Sequence, residues 1–470
     1  GGWLNYSYVR PDTTIIYVGI DANFKFSDRM HYHGLMSLDD GSPDIDLSDT
    51  QGSKGSTPAF SAYWEQHFAH RQTLVVDFRA SLFNGHSYSD YVERRAGLTD
   101  PLTDVHTYIR DRNQAYGLEV DYIKNWSRSR FTAGASYSAN RNRSEYRNLG
   151  GEIFHQRQDK AYVFAEYFQR FGRFTATAGV GAQYIDYLFR ESGKGRHSWN
   201  VRPQATVTYS PNQNHNMRLS FTSWQSAPTL AQTNVAPQQL DGFQWQIGNP
   251  DLKTSNSYML TLRYTFSLPR TYASFGIRAF TSPDAIAPYR YWDGDRLVTS
   301  YENTDGGLQN ISFWLSPQVE VIPDWLMLSI QYRAERMKGT GYKLYNHCWS
   351  GDASVQVSHW GFTLQASYQR AQRDLWGETI SYGEDINIIE LNYNWKNWQF
   401  GAGCIMPVGR YDQGSRSLNR WNRNEQHMRM DMRIPYITVS WNLQWGRQKR
   451  SVNKLVNSDA NVDSSKAAGR

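Results

Sequence analysis

Long hydrophobic runs are missing from these 470 residues. The longest uninterrupted apolar stretches are four or five residues, whereas a membrane-spanning helix needs ~20. With a mean hydropathy of −0.68, a helical membrane protein is excluded. Cysteine is scarce. Cys348 and Cys404 are the whole complement and match no zinc spacing; they stand as free thiols, or as one pair in an exported protein. Charge of one sign is not concentrated either. Fifty basic residues oppose 44 acidic ones for a net +6, and the densest cluster is Arg447, Lys449 and Arg450. Nucleic-acid binding needs a basic stripe, so nucleic acid is not an expected partner. No G-x-S-x-G, H-E-x-x-H or P-loop pattern occurs. The 12 His are scattered and support no Ser–His–acid constellation, so the chain is not expected to be an enzyme.

What is present is aromatic. The chain holds 31 Tyr, 21 Phe and 17 Trp, a load that disordered chains lack. Hydrophobicity alternates with period two. Tyr258, Leu260, Leu262, Tyr264 and Phe266 alternate with Met259, Thr261, Arg263 and Thr265; Leu326, Leu328, Ile330 and Tyr332 alternate with Ser329, Gln331 and Arg333. Such alternation gives a sheet with one apolar and one polar face. The runs are about 10 residues long, the length of a tilted membrane strand, against ~5–6 for ordinary strands.

The connections sharpen this reading. Nineteen strand candidates are joined by short turns and long segments in strict alternation. The long ones are 27–58, 84–113, 144–158, 190–197, 226–255, 282–309, 337–345, 372–384 and 407–433, all read as loops. Outer-membrane barrels carry this asymmetry, with short periplasmic turns and long extracellular loops. Trp126, Phe131, Phe168, Phe174, Tyr209, Phe266, Trp325, Trp360, Trp395, Trp398 and Trp445 flank the short turns, where amphipathic rings mark a bilayer boundary. The expected fold is therefore all-β: a transmembrane antiparallel β-barrel with about 19 strands of a 20–22-stranded whole. Residues 1–445 form the barrel and 446–470 a polar periplasmic tail. An even strand count and the start at Gly1 imply a cut inside a larger protein, with a lumen plug preceding residue 1.

Candidate sites lie at the long-loop side. Asp39, Asp40, Asp44, Asp46 and Asp49 are a weak calcium candidate, since the spacing matches no EF-hand; no cofactor is otherwise expected. His31 and His33, placed on a loop, lack further ligands at zinc spacing. Trp224, Trp245, Tyr289, Tyr291, Trp292 and Trp376 are candidate substrate contacts, because rings stack on sugars and apolar ligands; packing of the loops on themselves is the favoured alternative. Arg202, Arg218, Arg263, Arg278 and Arg333 face the lumen; they are expected to pair with acids such as Glu119, Asp121 and Glu335, or to contact a plug, rather than to attract an anionic solute.

Two stretches carry a family resemblance. Ile247-Gly248-Asn249-Pro250-Asp251-Leu252-Lys253 precedes the strand Tyr258–Phe266 and resembles the G-N-P-x-L-K-P-E element of TonB-dependent outer-membrane transporters, departing from it at Thr254 and Ser255. Gly248 would allow a sharp turn and Pro250 would hold Asn249 extended. Ile437–Arg447 and the tail after it resemble the last strand of a large-barrel subgroup, with Trp441, Leu443 and Trp445 as the candidate insertion signal. The resemblance implies a transporter importing a substrate across the Gram-negative outer membrane. Its partners would be outer-membrane lipid, a plug and TonB in the full-length protein, the barrel-insertion machinery, and a surface lipoprotein. The alternatives are a non-transporting outer-membrane barrel, such as an adhesin or assembly scaffold, and a soluble glycan-binding β protein. The substrate is not legible.

Overall fold

The computed structural model describes residues 1–10, 13–25, 29–37, 42–147, 151–191, 193–339, 345–418, 425–443 and 454–455. The chain runs β1 (Gly2–Arg10), β2 (Thr14–Lys25), β3 (Met30–Met36), β4 (Ile45–Phe68), a 3-10 turn (Ala69–Arg71), β5 (Gln72–Arg95), β6 (Pro101–Asn125), β7 (Ser129–Tyr146), β8 (Glu152–Phe171), β9 (Phe174–Phe189), β10 (Lys194–Asn212) and β11 (His215–Ser226). It continues through α1 (Leu230–Thr233), β12 (Gln238–Gln239), β13 (Gln244–Gln246), β14 (Ser255–Leu268), β15 (Thr271–Ser282), β16 (Ile286–Asp293), β17 (Arg296–Asn303), β18 (Leu308–Ile322), β19 (Leu326–Lys338) and β20 (Tyr345–His359). The remainder is β21 (Phe362–Arg370), β22 (Arg373–Trp376), β23 (Thr379–Tyr382), β24 (Ile386–Trp395), β25 (Trp398–Ile405), β26 (Tyr411–Ser417), β27 (Glu425–Met430) and β28 (Ile434–Trp441).

One antiparallel sheet holds 20 strands. All but β3 follow one another as up-and-down neighbours, in the order β1, β2, β4 to β11, β14, β15, β18 to β21, β24, β25, β28. β3 folds back beside the far end of β4. Among the described residues β1 and β28 are not paired with each other.

This wall is built inside out. On β14, Leu260 and Leu262 are exposed on one face; on β15, Phe275 and Ile277; on β18, Ile311, Phe313 and Leu315; on β19, Leu328, Ile330 and Tyr332. These rows continue across the sheet through Val355, Leu364 and Ile389. Soluble proteins rarely expose contiguous apolar patches beyond a few hundred Å², so the outward face requires lipid as its solvent.

The opposite face is polar and largely pairs with itself. Glu335 has a fully buried side chain, 2.6 Å from Arg333 and 3.8 Å from Arg278. Arg202 donates to Gln183 at 3.0 Å and lies over the Tyr162 ring; Arg263 donates to Ser274 and Tyr272. Glu119 and Asp121 form no ion pair with these arginines among the described residues. Tail residue Lys454 lies 3.3 Å from Asp77 and over the Tyr17 and Tyr63 rings, and the Leu455 amide donates to the Tyr63 hydroxyl at 3.1 Å. Cys348 and Cys404 are free thiols.

The short-turn side has tight hairpins. Trp360 (φ 49°) and Gly361 (φ 83°) both sit in the left-handed region, which the favoured two-residue hairpin requires. Rings stack along this side: Phe174 on Tyr209, Phe362 on Tyr393, Trp398 on Trp441. Trp441 pairs with Trp398 in register, and exposed Leu443 follows it. Trp445 lies outside the described residues.

The long segments differ from the sequence reading. Residues 27–58 and 84–113 are largely strand: β4 and β5 each run 24 residues and β6 runs 25. His31 and His33 lie on β3 rather than on a loop. Beyond the bilayer both faces of a hairpin meet water or other protein, so the period-two signal that marks a lipid-facing strand disappears.

Candidate functional site at the long-loop end

Two small sheets roof this end. The segments after β11 and β15 combine into a four-stranded sheet, β12-β13-β17-β16; those after β21 and β25 form another, β22-β23-β26-β27. The segment between β11 and β14 packs on the inner surface of the wall. Ala236 packs with buried Ile109 and Tyr146, and Asn234 donates to the Tyr146 hydroxyl. Further along, the Gly242 amide donates to Glu93 at 3.2 Å.

The Gly248–Lys253 element holds this roof together. The Gly248 and Asn249 amides donate to the Asn234 and Gln232 carbonyls, each at 2.7 Å. The Asn249 side chain donates to the Tyr301 carbonyl and accepts from the Asp251 amide, both at 2.9 Å. Leu252 is buried with Ile286 and Tyr301, and Tyr187 donates to its carbonyl. Asn303 brackets Lys253 with two bonds, at 2.7 and 3.0 Å. Gly248 does not serve the sharp turn expected of it. A Cβ there would lie 2.5 Å from the backbone N and O of Asn234, so glycine is needed for close approach of two chain segments. Gly248→Val should therefore lift the 230–254 segment from the wall, costing about 1–3 kcal/mol as overpacking does. Hydrogen exchange should rise in that segment and stay unchanged in β18 to β21.

A polar recess of about 800 Å³ opens beside this element, lined by Arg196, His197, Asp251, Lys253, Asp284 and Glu302 among others. Lys194 bonds Asp251 at 2.5 Å and Arg196 lies 3.5 Å from it; the Lys194 bond first, then these charges, hold the Asp251 carboxyl below its ordinary pKa. Across the roof, burial lowers the Arg290 guanidinium, opposed by the charge of Glu378.

A lipid-facing wall, aromatic turns and a folded roof describe an outer-membrane barrel, and the sequence agrees: the model of the outer membrane protein beta-barrel family matches residues 67–441. The chain belongs to that family. It is a bacterial outer-membrane protein, and its long-loop end is the extracellular one. No curated protein sequence matches it. Its fold is that of solved outer-membrane transporters. The FrpB iron transporter from Neisseria meningitidis (F3-3 variant) aligns with TM-score 0.51 at 10% identity, covering 93% of this chain and 80% of that one. The copper transporter OprC aligns at 0.62 and 10%, covering 91% and 76%. The ferric-catecholate import receptor Fiu from E. coli K12 aligns at 0.62 and 10%, covering 93% and 79%. The outer-membrane barrel reading thus holds for family, and the likeness to these solved transporters holds for fold.

The family barrel places the candidate contacts in three locations. Trp245 (β13), Tyr289, Tyr291 and Trp292 (β16) share one roof sheet, and Trp376 lies on the other. Trp224 stays on wall strand β11, against Phe280. Within this set the only ring contact among the described residues is Tyr289 on Tyr291, at 5.7 Å. Trp245 is covered by Arg296, while Trp292 and Trp376 are exposed. The acidic run is not one loop. Asp39 and Asp40 lie outside the described residues and Asp44 precedes β4. Asp46 and Asp49, both on β4, are three residues apart and so point to opposite faces of the strand. Asp49 accepts from Gln51 and Ser89. The residues that organise the roof, Asn234, Tyr146, Tyr301 and Asn303, carry no sequence signal, because their bonds span 50 or more residues.

Proposed function

We propose that this chain is the barrel of a TonB-dependent transporter that imports a polar solute, without enzymatic activity, gated by a plug and driven through TonB in the full-length protein. The observation that carries the reading is the inward-folded roof on the Gly248–Lys253 element, with its polar recess over a polar-lined lumen. An adhesin would need no roof tied to the inner wall. The fold shared with an iron transporter, a copper transporter and a ferric-catecholate receptor supports the same reading. The barrel-insertion machinery and a surface lipoprotein are the further partners proposed.

The test is deletion of the gene in its host, followed by growth on ferric chelates, cobalamin, oligosaccharides and peptides as sole sources. Growth should be lost on one class, and uptake of that class by wild-type cells should stop with a protonophore. Unchanged growth on all four, with loss of surface adhesion instead, would overturn the proposal in favour of a scaffold.

A further inference from the structure

Two pairs of arginines oppose each other across the outer surface of the wall, and only one pair has a counter-charge. Arg141 on β7 stands opposite Arg157 on β8, and Asp159 accepts from them at 2.7 and 2.5 Å. One row further from the membrane, Arg112 on β6 stands opposite Arg143 on β7. Neither has an ion-pair partner among the described residues. Like charges directly opposite each other destabilise a sheet, so this pair calls for an anion from outside the chain.

The pair faces outward. Its strand neighbours Asp111, Asn113, Asn142 and Ser144 are buried on the inner side, and alternation sends Arg112 and Arg143 the other way. The next row adds Lys54, His86 and Arg110, consecutive across β4, β5 and β6. Lys54, His86 and Arg110 line an outer groove of about 470 Å³ together with Phe24 and Tyr108, and His86 stacks on Tyr108. Three carboxylates nearest the row are engaged elsewhere: Glu145, opposite Arg110, pairs with Arg147 at 3.5 Å; Glu191 pairs with His155 at 2.7 Å; Asp90 pairs with His106 at 2.9 Å.

Height fixes the class of anion. Leu82 and Tyr116 are exposed lipid-facing residues just below. Arg112 pairs with Asn84, two residues beyond Leu82 and so ~7 Å further along the strand. The headgroup zone of a bilayer is roughly 5–7 Å deep on each side. We propose that this outward cationic row binds the phosphate groups of an outer-leaflet glycolipid, with Arg112 and Arg143 sharing one phosphate and the Lys54–His86–Arg110 groove receiving the adjoining headgroup.

The test is native mass spectrometry of the detergent-solubilised chain with diphosphoryl lipid A, dephosphorylated lipid A and inorganic phosphate. Wild-type protein should retain a diphosphoryl lipid A adduct, and the double variant Arg112→Ser/Arg143→Ser should bind it at least about tenfold more weakly, since two charge-assisted contacts are lost. Arg112→Gln alone, in lipid-free detergent, should not destabilise the barrel, because it relieves the repulsion; this single variant carries the test if the double variant does not fold. Equal retention by wild type and variants would overturn the proposal, as would equal binding of the dephosphorylated lipid. Displacement of the adduct by millimolar inorganic phosphate would overturn the lipid assignment in favour of a free-phosphate site.

Discussion

Leu262→Arg should cost about 2–4 kcal/mol of folding free energy in a bilayer, whereas its neighbour Thr261→Arg should cost less than about 1 kcal/mol. The first places a guanidinium on the lipid face near mid-strand, where such charges carry that penalty in outer-membrane barrels. The second places it on the polar face, directly opposite Arg278 of the paired strand, where the wet lumen accepts the charge and the like-charge opposition accounts for the cost of up to about 1 kcal/mol. Denaturant titration of each variant folded into lipid vesicles measures both. In detergent-free water the order would have no reason to hold, so the pair of values reports which face sees lipid. Equal costs would contradict the assignment of inside and outside.

Arg333→Ala should destabilise the barrel by about 3–5 kcal/mol, the cost of leaving a buried charge without its partner. Glu335 is fully enclosed, and Arg333 is its nearest cation at 2.6 Å; Arg278, at 3.8 Å, compensates only in part. The Glu335→Gln/Arg333→Ala double variant should recover part of the loss, because the stranded charge is gone. Vesicle-based unfolding of both variants checks this; additive losses would show that the two side chains do not act as a pair.

The wall was legible in the sequence because two solvents write opposite preferences on alternate residues. Tyr258, Leu260, Leu262, Tyr264 and Phe266 face lipid while Met259, Thr261, Arg263 and Thr265 face the lumen, and no soluble core is needed to read that. The nineteen spanning strands, their order and the aromatic turns all follow from it. The extensions of β4, β5 and β6 did not, since strands with water on both faces carry no such alternation. For the same reason the cationic row at Arg112 and Arg143 fell in what reads as loop and flanking strand; its meaning depends on register, which places the two residues opposite each other. The Gly248–Lys253 element could be located but not explained. Its glycine matters because the chain at Asn234 passes against it, a contact that no local pattern records.

Labelling from the two sides of the membrane tests the central claim most directly. With Cys348 and Cys404 replaced by Ser, Trp292→Cys sits on the roof sheet and Trp360→Cys at a short turn; both positions are exposed. A membrane-impermeant maleimide added to intact cells should label Trp292→Cys and leave Trp360→Cys unmodified until the outer membrane is permeabilised. Labelling of Trp360→Cys in intact cells, with Trp292→Cys protected, would contradict the orientation, and labelling of both alike would contradict the membrane-spanning barrel itself.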